Sequence, residues 1–358
     1  MTITTATSSI AAPVNRVLST KFIKDAEPYC LYFQGSDPGD VIESRKGSYT
    51  IMWRQWDNVT PTTTALTELS GTYSEPTRTA TELAETDVTA TVSKYGQFAY
   101  LTEELTLREV TGTTQEIARV FGVAGGRSLN RLQRNVMEDN ATLVYASGGS
   151  QDSDVVDTIS YLLIENACNT LLNNFAEPFL PMSTGSTVIG SAATLPAYYG
   201  WCHTNVARDI SRLGSGIFTS VERYASHTQV MQGEFGIVQC SGVAVRFMQT
   251  PEASADTGTG GTTSAIRNTA GTADLYTTII MGQRAVGALS LDVELVRESY
   301  KAGDRIPGLM MIEKPMGSAG TGDPLNEVMS VGWKGWHGGT VKKADYIRGI
   351  RTGASLLS

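Results

Sequence analysis

A threonine-rich stretch, 47–93, constrains this 358-residue chain more than any other part of it. It contains thirteen threonines, and Pro61 and Gly71 interrupt its middle. Apolar side chains alternate on both flanks, at Tyr49, Ile51 and Trp53 and again at Val88, Ala90 and Val92. The alternation predicts two strands around a turn-rich centre. Because a lone hairpin has no second layer to cover its apolar face, we expect this excursion to rest on another subunit.

The composition predicts a folded chain that does not bind nucleic acid tightly. At 41% hydrophobic residues the chain is long enough for one large or two moderate cores. The formal net charge of -8 argues against phosphate binding, which needs clustered Lys and Arg. The longest apolar runs, such as 309–312, are far shorter than the ~20 residues of a membrane span, so no membrane association is expected.

The cysteines favour a reducing compartment. Cys30, Cys168, Cys202 and Cys240 are widely separated and show no CxxC spacing. We expect the thiols to be small buried hydrophobes. Residues 1–13 lack the basic start and apolar middle of a secretion signal, which fits a reducing compartment.

The strongest helical pattern covers 114–145, with a capping box at 113–116. Gly122, Gly125 and Gly126 interrupt its apolar stripe, which indicates a kink or a close backbone contact. A second helix is expected over the following segment, 154–175. Strands are expected at 197–204, 236–248 and 275–281, an exposed flexible loop at 256–271, and long strands returning to the first domain at 325–350.

Residues that suggest chemistry have simpler structural interpretations. Cys202 and His203 are adjacent on a predicted strand and so point to opposite faces, which keeps nucleophile and base apart. His203, His227 and His337 lack metal-ligand spacing. Asp152, Asp154 and Asp157 lack the Gly and Glu of a calcium loop, so we expect charges at a helix N-terminus. Neither a catalytic residue, nor a cofactor, nor a metal is predicted.

Charged side chains mark one candidate subunit interface. Arg127, Arg131 and Arg134 share one face of the long helix. The threonine-rich stretch carries six acidic residues and two arginines. The acidic residues chosen as interface candidates are Glu75, Glu82 and Glu85. We expect these charges to set the register between neighbouring subunits, although an ordinary solvated face, or one turned to DNA, fits the pattern equally well.

Tryptophans are the other interface candidates, because Trp and Arg dominate binding energy at interfaces. Trp333 and Trp336 stand in a Gly-rich run typical of a strand that packs against a neighbour. A core position is as plausible for these two as an interface. It is less plausible for Trp53 and Trp56, since the excursion has little core of its own.

Three motifs carry a resemblance to a known family. They are YGQFAYLTEE at 95–104, GEFG at 233–236 running into GVAV at 242–245, and DPLN at 323–326 leading to VGWKGWH at 331–337. Their order and separations resemble those of the major capsid proteins of tailed bacteriophages related to phage N-four, which have the Hong Kong 97 type of fold. The resemblance covers most of the chain from about Val41.

The resemblance implies an α+β capsid protein and no catalytic residues. Its expected parts are an N-terminal arm (1–46), an extended hairpin loop (47–100), a peripheral domain with a spine helix (101–185), an axial domain (186–322) and return strands (323–358). It implies hexamers and pentamers in an icosahedral shell around double-stranded DNA, with scaffold, portal and decoration proteins as possible partners in the virion. A tail-tube or decoration protein and a cysteine-type hydrolase stay open as alternatives.

Overall fold

The structure is a computed structural model. It describes residues 25–26, 29–38, 40–41, 50–56, 59–63, 82–108, 113–180, 195–214, 216–223, 231–289, 309–318 and 323–356. The predicted arm before Asp25, the centre of the threonine-rich stretch and Glu75 lie outside these residues.

Helices and sheets alternate along the described chain, which confirms a mixed architecture. The helices are α1 (Glu103–Arg108), α2 (Thr113–Asn140), α3 (Tyr161–Asn173) and α4 (Thr204–Ser211). The strands are β1 (Asp37–Pro38), β2 (Asp40–Val41), β3 (Thr50–Trp56), β4 (Glu85–Thr91), β5 (Ser93–Thr102), β6 (Thr142–Tyr145), β7 (Ala197–His203), β8 (Phe218–Ser220), β9 (Glu234–Gln239), β10 (Ala244–Thr250), β11 (Ala255–Asp256), β12 (Asn268–Thr269), β13 (Thr272–Ala273), β14 (Leu275–Met281), β15 (Val286–Ala288), β16 (Leu309–Lys314), β17 (Val328–His337), β18 (Gly339–Val341) and β19 (Ile347–Thr352).

An eight-stranded sheet forms the main core. Its order is β6-β19-β14-β7-β10-β9-β8, with β11 pairing on β14. All seven residues of β14 are buried, as are the first six of β7. Such complete burial is expected of central strands that are covered on both faces. The inner side of α3 joins the same apolar cluster through Ile164, Cys168 and Leu171. The segments predicted as strands at 197–204, 236–248 and 275–281 all lie in this sheet, as β7, β9 with β10, and β14. The last strand, β19, lies between β6 and β14.

A three-stranded sheet in the order β16-β17-β5 packs on the long helix α2. Trp333 is buried in a cluster with Leu129 and Leu309. A side chain at Gly125 would come within 3.3 Å of the Trp333 ring, and one at Gly126 would strike the backbone of Ala26. The helix is continuous through these glycines, so the close-contact interpretation of them is confirmed and no break occurs there.

The predicted hairpin is confirmed. β3 and β4 pair antiparallel with Ile51 opposite Ala90 and Trp53 opposite Val88. Residues 29–38, predicted as part of an irregular arm, lie on their own chain. Tyr32 is fully buried there and stacks on Trp201 with ring centroids 5.8 Å apart.

Two helix boundaries were predicted wrongly. The long helix ends at Asn140, whose side-chain amide donates to the Val136 carbonyl, and 142–145 pair with β19 as a strand. The second helix begins at Tyr161, not at 154. Local hydrogen bonds hold the preceding residues in a 3-10 turn, since the Asp154 carboxylate accepts from the Ser150 amide at 3.1 Å.

Two further expectations need correction. The segment 236–248 is two strands, β9 and β10, joined at Gly242, which has a φ of +85°. The loop 256–271 is not simply exposed, because Gly260, Gly261 and Ile266 are buried. A side chain at Gly261 would meet Val156, so these glycines let the loop lie directly on its own subunit.

Candidate subunit interface

The two tryptophans of β3 have opposite environments. Trp53 is 7% exposed and packs with Ile51 and Leu289, and its ring occupies the space beside Gly287. The prediction that this pair has little core of its own is wrong for Trp53, because the β15 region supplies a second layer. Trp56, three residues along the strand, is 56% exposed. Trp56 is therefore the tryptophan of this strand that can reach a neighbour.

The far end of the hairpin carries exposed apolar and acidic side chains together. Val59 and Leu83 are exposed large hydrophobics like Trp56. Glu82 is exposed too. Glu85 already has a partner within the chain, since the Arg54 guanidinium bonds both Glu85 and Asp87, the latter at 3.0 Å.

The face of the three-stranded sheet that points away from α2 presents aromatic rings. Residues opposite each other in antiparallel strands share a face, and Phe98 and Tyr100 lie on the side opposite Trp333, whose indole N–H donates to Gln97. Phe98 is 66% exposed and Tyr100 is 68% exposed, with ring centroids 5.3 Å apart. The register adds three lysines to this face, which are Lys94, Lys314 and Lys334. We call this surface the aromatic sheet face.

Sequence reasoning missed Phe98 and Tyr100 as functional candidates. The run at 95–104 was used only for its resemblance to a family. Aromatic residues at alternate positions, 98 and 100, on a strand ending in Glu103 and Glu104 were a signal for an exposed aromatic face.

The C-terminal tryptophans contact their own subunit. Trp333 is buried against α2, and Trp336 is half-buried against the hairpin base, with the Lys334 ammonium 4.7 Å from its ring centre. Next to them, the His337 ring hydrogen bonds Gln133 of α2 at 3.0 Å. Burial lowers the pKa of His337 to about 4. These residues join the sheet to the long helix and the hairpin, which is the core alternative left open by the sequence.

The arginine row has a partner within the chain. Arg127 and Arg131 both bond the Glu252 carboxylate, the first at 2.5 Å, and Arg134 donates to the Glu252 carbonyl at 2.7 Å. Burial alone would raise the pKa of Glu252, but the hydrogen bonds from Arg131 and Arg127 outweigh it and hold the pKa below its usual value. Glu252 of the same chain therefore supplies part of the counter-charge, and the pairing of this row with a neighbour's acidic hairpin stays a prediction.

A buried carboxyl lies beside this cluster. Glu138 is 3.5 Å from Arg134, and burial raises the pKa of Glu138 to about 7 although the charge of Arg134 opposes this. Glu138 is thus the carboxyl here that takes up a proton near neutral pH.

The residues that suggested chemistry do not assemble into a site. The Cys202 thiol is fully buried and faces the Met248 carbonyl, and burial raises its pKa. The His203 ring instead accepts from the Asn205 amide at 3.1 Å. Burial lowers the pKa of His203, and the charge of Arg267 adds to this.

The three aspartates 152, 154 and 157 are not helix N-terminal charges, since α3 begins later. Asp152 pairs with Arg351 at 3.0 Å, and Asp157 accepts from the Ser147 hydroxyl at 2.9 Å. Within the described residues no group of His, Cys, Asp and Glu has the arrangement of a metal site. In that part of the chain no helix has the length and apolar character that crossing a bilayer requires.

Comparison with known proteins defines the fold. No family model and no curated protein matches the chain. Among solved structures, the capsid of Ralstonia phage GP4 superposes with a TM-score of 0.59 at 9% identity, covering 90% of this chain and 86% of that one. The capsid of Cyanophage P-SCSP1u gives 0.52 at 10% identity, covering 90% and 88%. The head structure of Helicobacter pylori bacteriophage KHP40 gives 0.50 at 9% identity, covering 85% and 84%. The chain has the fold of phage capsid proteins.

Proposed function

We propose that this chain is the major capsid protein of a tailed bacteriophage, of the N-four-like family and the Hong Kong 97 type. The observation that carries the proposal is the likeness to the Ralstonia phage GP4 capsid over 90% of this chain. Copies form hexamers and pentamers that close into an icosahedral shell of the virion. The shell assembles in the host cytoplasm and encloses double-stranded DNA without sequence-specific contacts. Scaffold, portal and decoration proteins are the expected partners.

The proposed work of the chain is mechanical, so its functional residues are interface residues. The far end of the hairpin, with Trp56, Val59 and Leu83 exposed, has the composition of an interface centre. A monomer leaves such a set exposed at a cost in apolar hydration. We propose that this end packs on the aromatic sheet face of a neighbouring copy, over Phe98 and Tyr100.

Charge supports this pairing. The hairpin end is acidic, because Arg54 offsets only one of the charges of Glu82, Glu85 and Asp87, and Glu75 lies in the same excursion. The aromatic sheet face carries three lysines. Opposite charges at a rim set register and speed association more than they add affinity. This proposal pairs the acidic hairpin with a cationic surface other than the arginine row, which already bonds Glu252 within its own chain.

Electron microscopy of the full-length purified chain tests the proposal. Closed shells are expected. Tubes would favour a tail-tube protein, and particles that stay monomeric would favour a decoration protein; either result would overturn the capsid assignment.

A charge exchange tests the proposed pairing. Lys94→Glu with Lys314→Glu should reduce assembly of a folded subunit, and Glu82→Lys in the same chain should partly restore it. Arg119→Glu with Arg212→Glu is a control matched in charge, on exposed cations away from this face. If it blocks assembly equally, the effect reflects net charge and not this contact.

The hydrolase alternative has no support from the geometry. The Cys202 thiol is buried with a raised pKa, and the hydrogen bond accepted by the His203 ring comes from Asn205. A nucleophile needs a lowered pKa and a base within reach.

A further inference from the structure

Two large side chains hold a left-handed backbone at one end of the eight-stranded sheet. Phe175 has a φ of +58° and Arg284 has a φ of +61°. The other described non-glycine residues with positive φ are Ser147, Ala270 and Asn326, which are smaller. A bulky residue in this region is uncommon because its Cβ crowds the backbone. These two positions are therefore maintained against a local conformational cost.

Phe175 stands where helices ordinarily place glycine. The Phe175 amide donates to the Leu172 carbonyl at 3.0 Å, and the Ala176 amide donates to the Leu171 carbonyl at 3.0 Å. This pair of bonds is the helix-ending motif in which the left-handed residue is usually Gly. The Phe175 ring is nevertheless 77% exposed, so packing within the subunit does not account for a phenylalanine here.

Arg284 lies in a loop bonded directly to the loop of Phe175. The Gln283 amide donates to the Glu177 carbonyl at 2.8 Å, and the Gly282 amide donates to the Tyr346 carbonyl at 2.9 Å. The Asn174 side chain donates to the Asp345 carbonyl at 3.0 Å. Three loops, 174–177, 282–284 and 343–346, are thereby held together, and we call them the loop cluster.

The charges of the loop cluster balance. Arg284 and Lys343 are basic, and Glu177 and Asp345 are acidic. Protein interfaces usually have an aromatic centre surrounded by charged and polar side chains. In a two-fold contact the same patch occurs on both partners and must complement itself. A patch with equal numbers of both charges meets this condition, whereas a patch of one sign would repel its copy.

We propose that the loop cluster is a contact between two copies of this chain across a two-fold axis. The Phe175 rings pack on each other there, and each Arg284 meets Glu177 or Asp345 of the second copy. The proposal rests on the proposed shell-forming function. It assigns that function a second interface, separate from the hairpin.

Phe175→Gly separates the two roles of this position. Glycine adopts the left-handed conformation freely, so the unassembled subunit should unfold at a higher temperature than the wild type. Loss of the ring should raise the concentration needed for half-maximal assembly about tenfold. The matched control is Leu162→Ala, an exposed leucine near the other end of α3, which should assemble as the wild type does.

Each outcome of the Phe175→Gly experiment supports or overturns the two-fold contact, or contradicts the proposed function. Greater subunit stability with weaker assembly supports the proposal. Assembly at the wild-type concentration overturns it, and so does a less stable subunit, since the ring would then be packing within its own chain. A wild type that forms no shells contradicts the proposed function instead. For the charges, Arg284→Glu should weaken assembly, and adding either Glu177→Arg or Asp345→Arg should restore it. Failure of recovery in both double variants would refute the two-fold pairing.

Discussion

The eight-stranded sheet and the β3–β4 hairpin differ in how far they bury their tryptophans. In the sheet, Trp201 is fully buried, stacks on Tyr32 and donates its N–H to the Leu31 carbonyl at 3.2 Å. In the hairpin, Trp53 is buried at the base while Trp56 is exposed. The sheet is complete within one subunit. In the hairpin, only the base is covered by its own subunit. The far end exposes Trp56, Val59 and Leu83, which is the composition of an interface.

The largest effect should follow from Trp201→Ala. Removing a fully buried tryptophan leaves a cavity, and such changes cost about 3–5 kcal/mol. Denaturant unfolding of the unassembled subunit should show this loss. An unchanged midpoint would mean that the sheet does not depend on this packing, and the contrast with the hairpin would fail.

The two tryptophans of β3 should separate folding from assembly. Trp53→Ala should destabilise the subunit by about 3 kcal/mol through the cavity beside Leu289. Trp56→Ala should leave unfolding unchanged and weaken association by about 2 kcal/mol, as for a buried interface anchor. Unfolding midpoints and light-scattering assembly curves give the two readouts. Equal effects of both variants on folding would place the whole hairpin in the core of its own subunit.

A smaller effect is expected at Glu252, which links the long helix to the end of β10. Glu252→Gln removes the charge that two arginines bond, and charge-assisted hydrogen bonds are worth about 1.5–3 kcal/mol. Arg119→Ala, which breaks an exposed pair with Glu116 on the same helix, should cost far less. Comparable losses in the two variants would show that Glu252 contributes no more than a surface pair.

Counted per pH unit, the smallest effect is a dependence on pH. A raised pKa means that the folded subunit holds the Glu138 proton more tightly than the unfolded chain does. The stabilisation is complete below the ordinary pKa of about 4.5 and is lost as pH rises through about 7. Stability should therefore fall by at most about 1.4 kcal/mol per pH unit between these values. In Glu138→Gln this fall should be absent, and its persistence would assign it to another group.

Local sequence patterns predicted many of the helices and strands, but they could not predict contacts between residues that are far apart in the sequence. The pairing of the hairpin followed from alternation, the strand 275–281 was predicted as a short mixed element, and the helix glycines were correctly interpreted as close contacts. The partners were not visible in the sequence, because Glu252 lies more than a hundred residues from the arginines that it bonds. For the same reason the burial of Trp53 beside Gly287 could not be predicted, nor could the packing of Gly261 against Val156.

Cryo-electron microscopy of the assembled particles, at a resolution that shows side chains, tests the central claim most directly. The account predicts that the Trp56 ring is buried against Phe98 and Tyr100 of a neighbouring subunit, with Trp53 packed on its own chain. A Trp56 ring that stays in solvent, or folds back onto its own subunit, would contradict the claim that a second copy completes the hairpin.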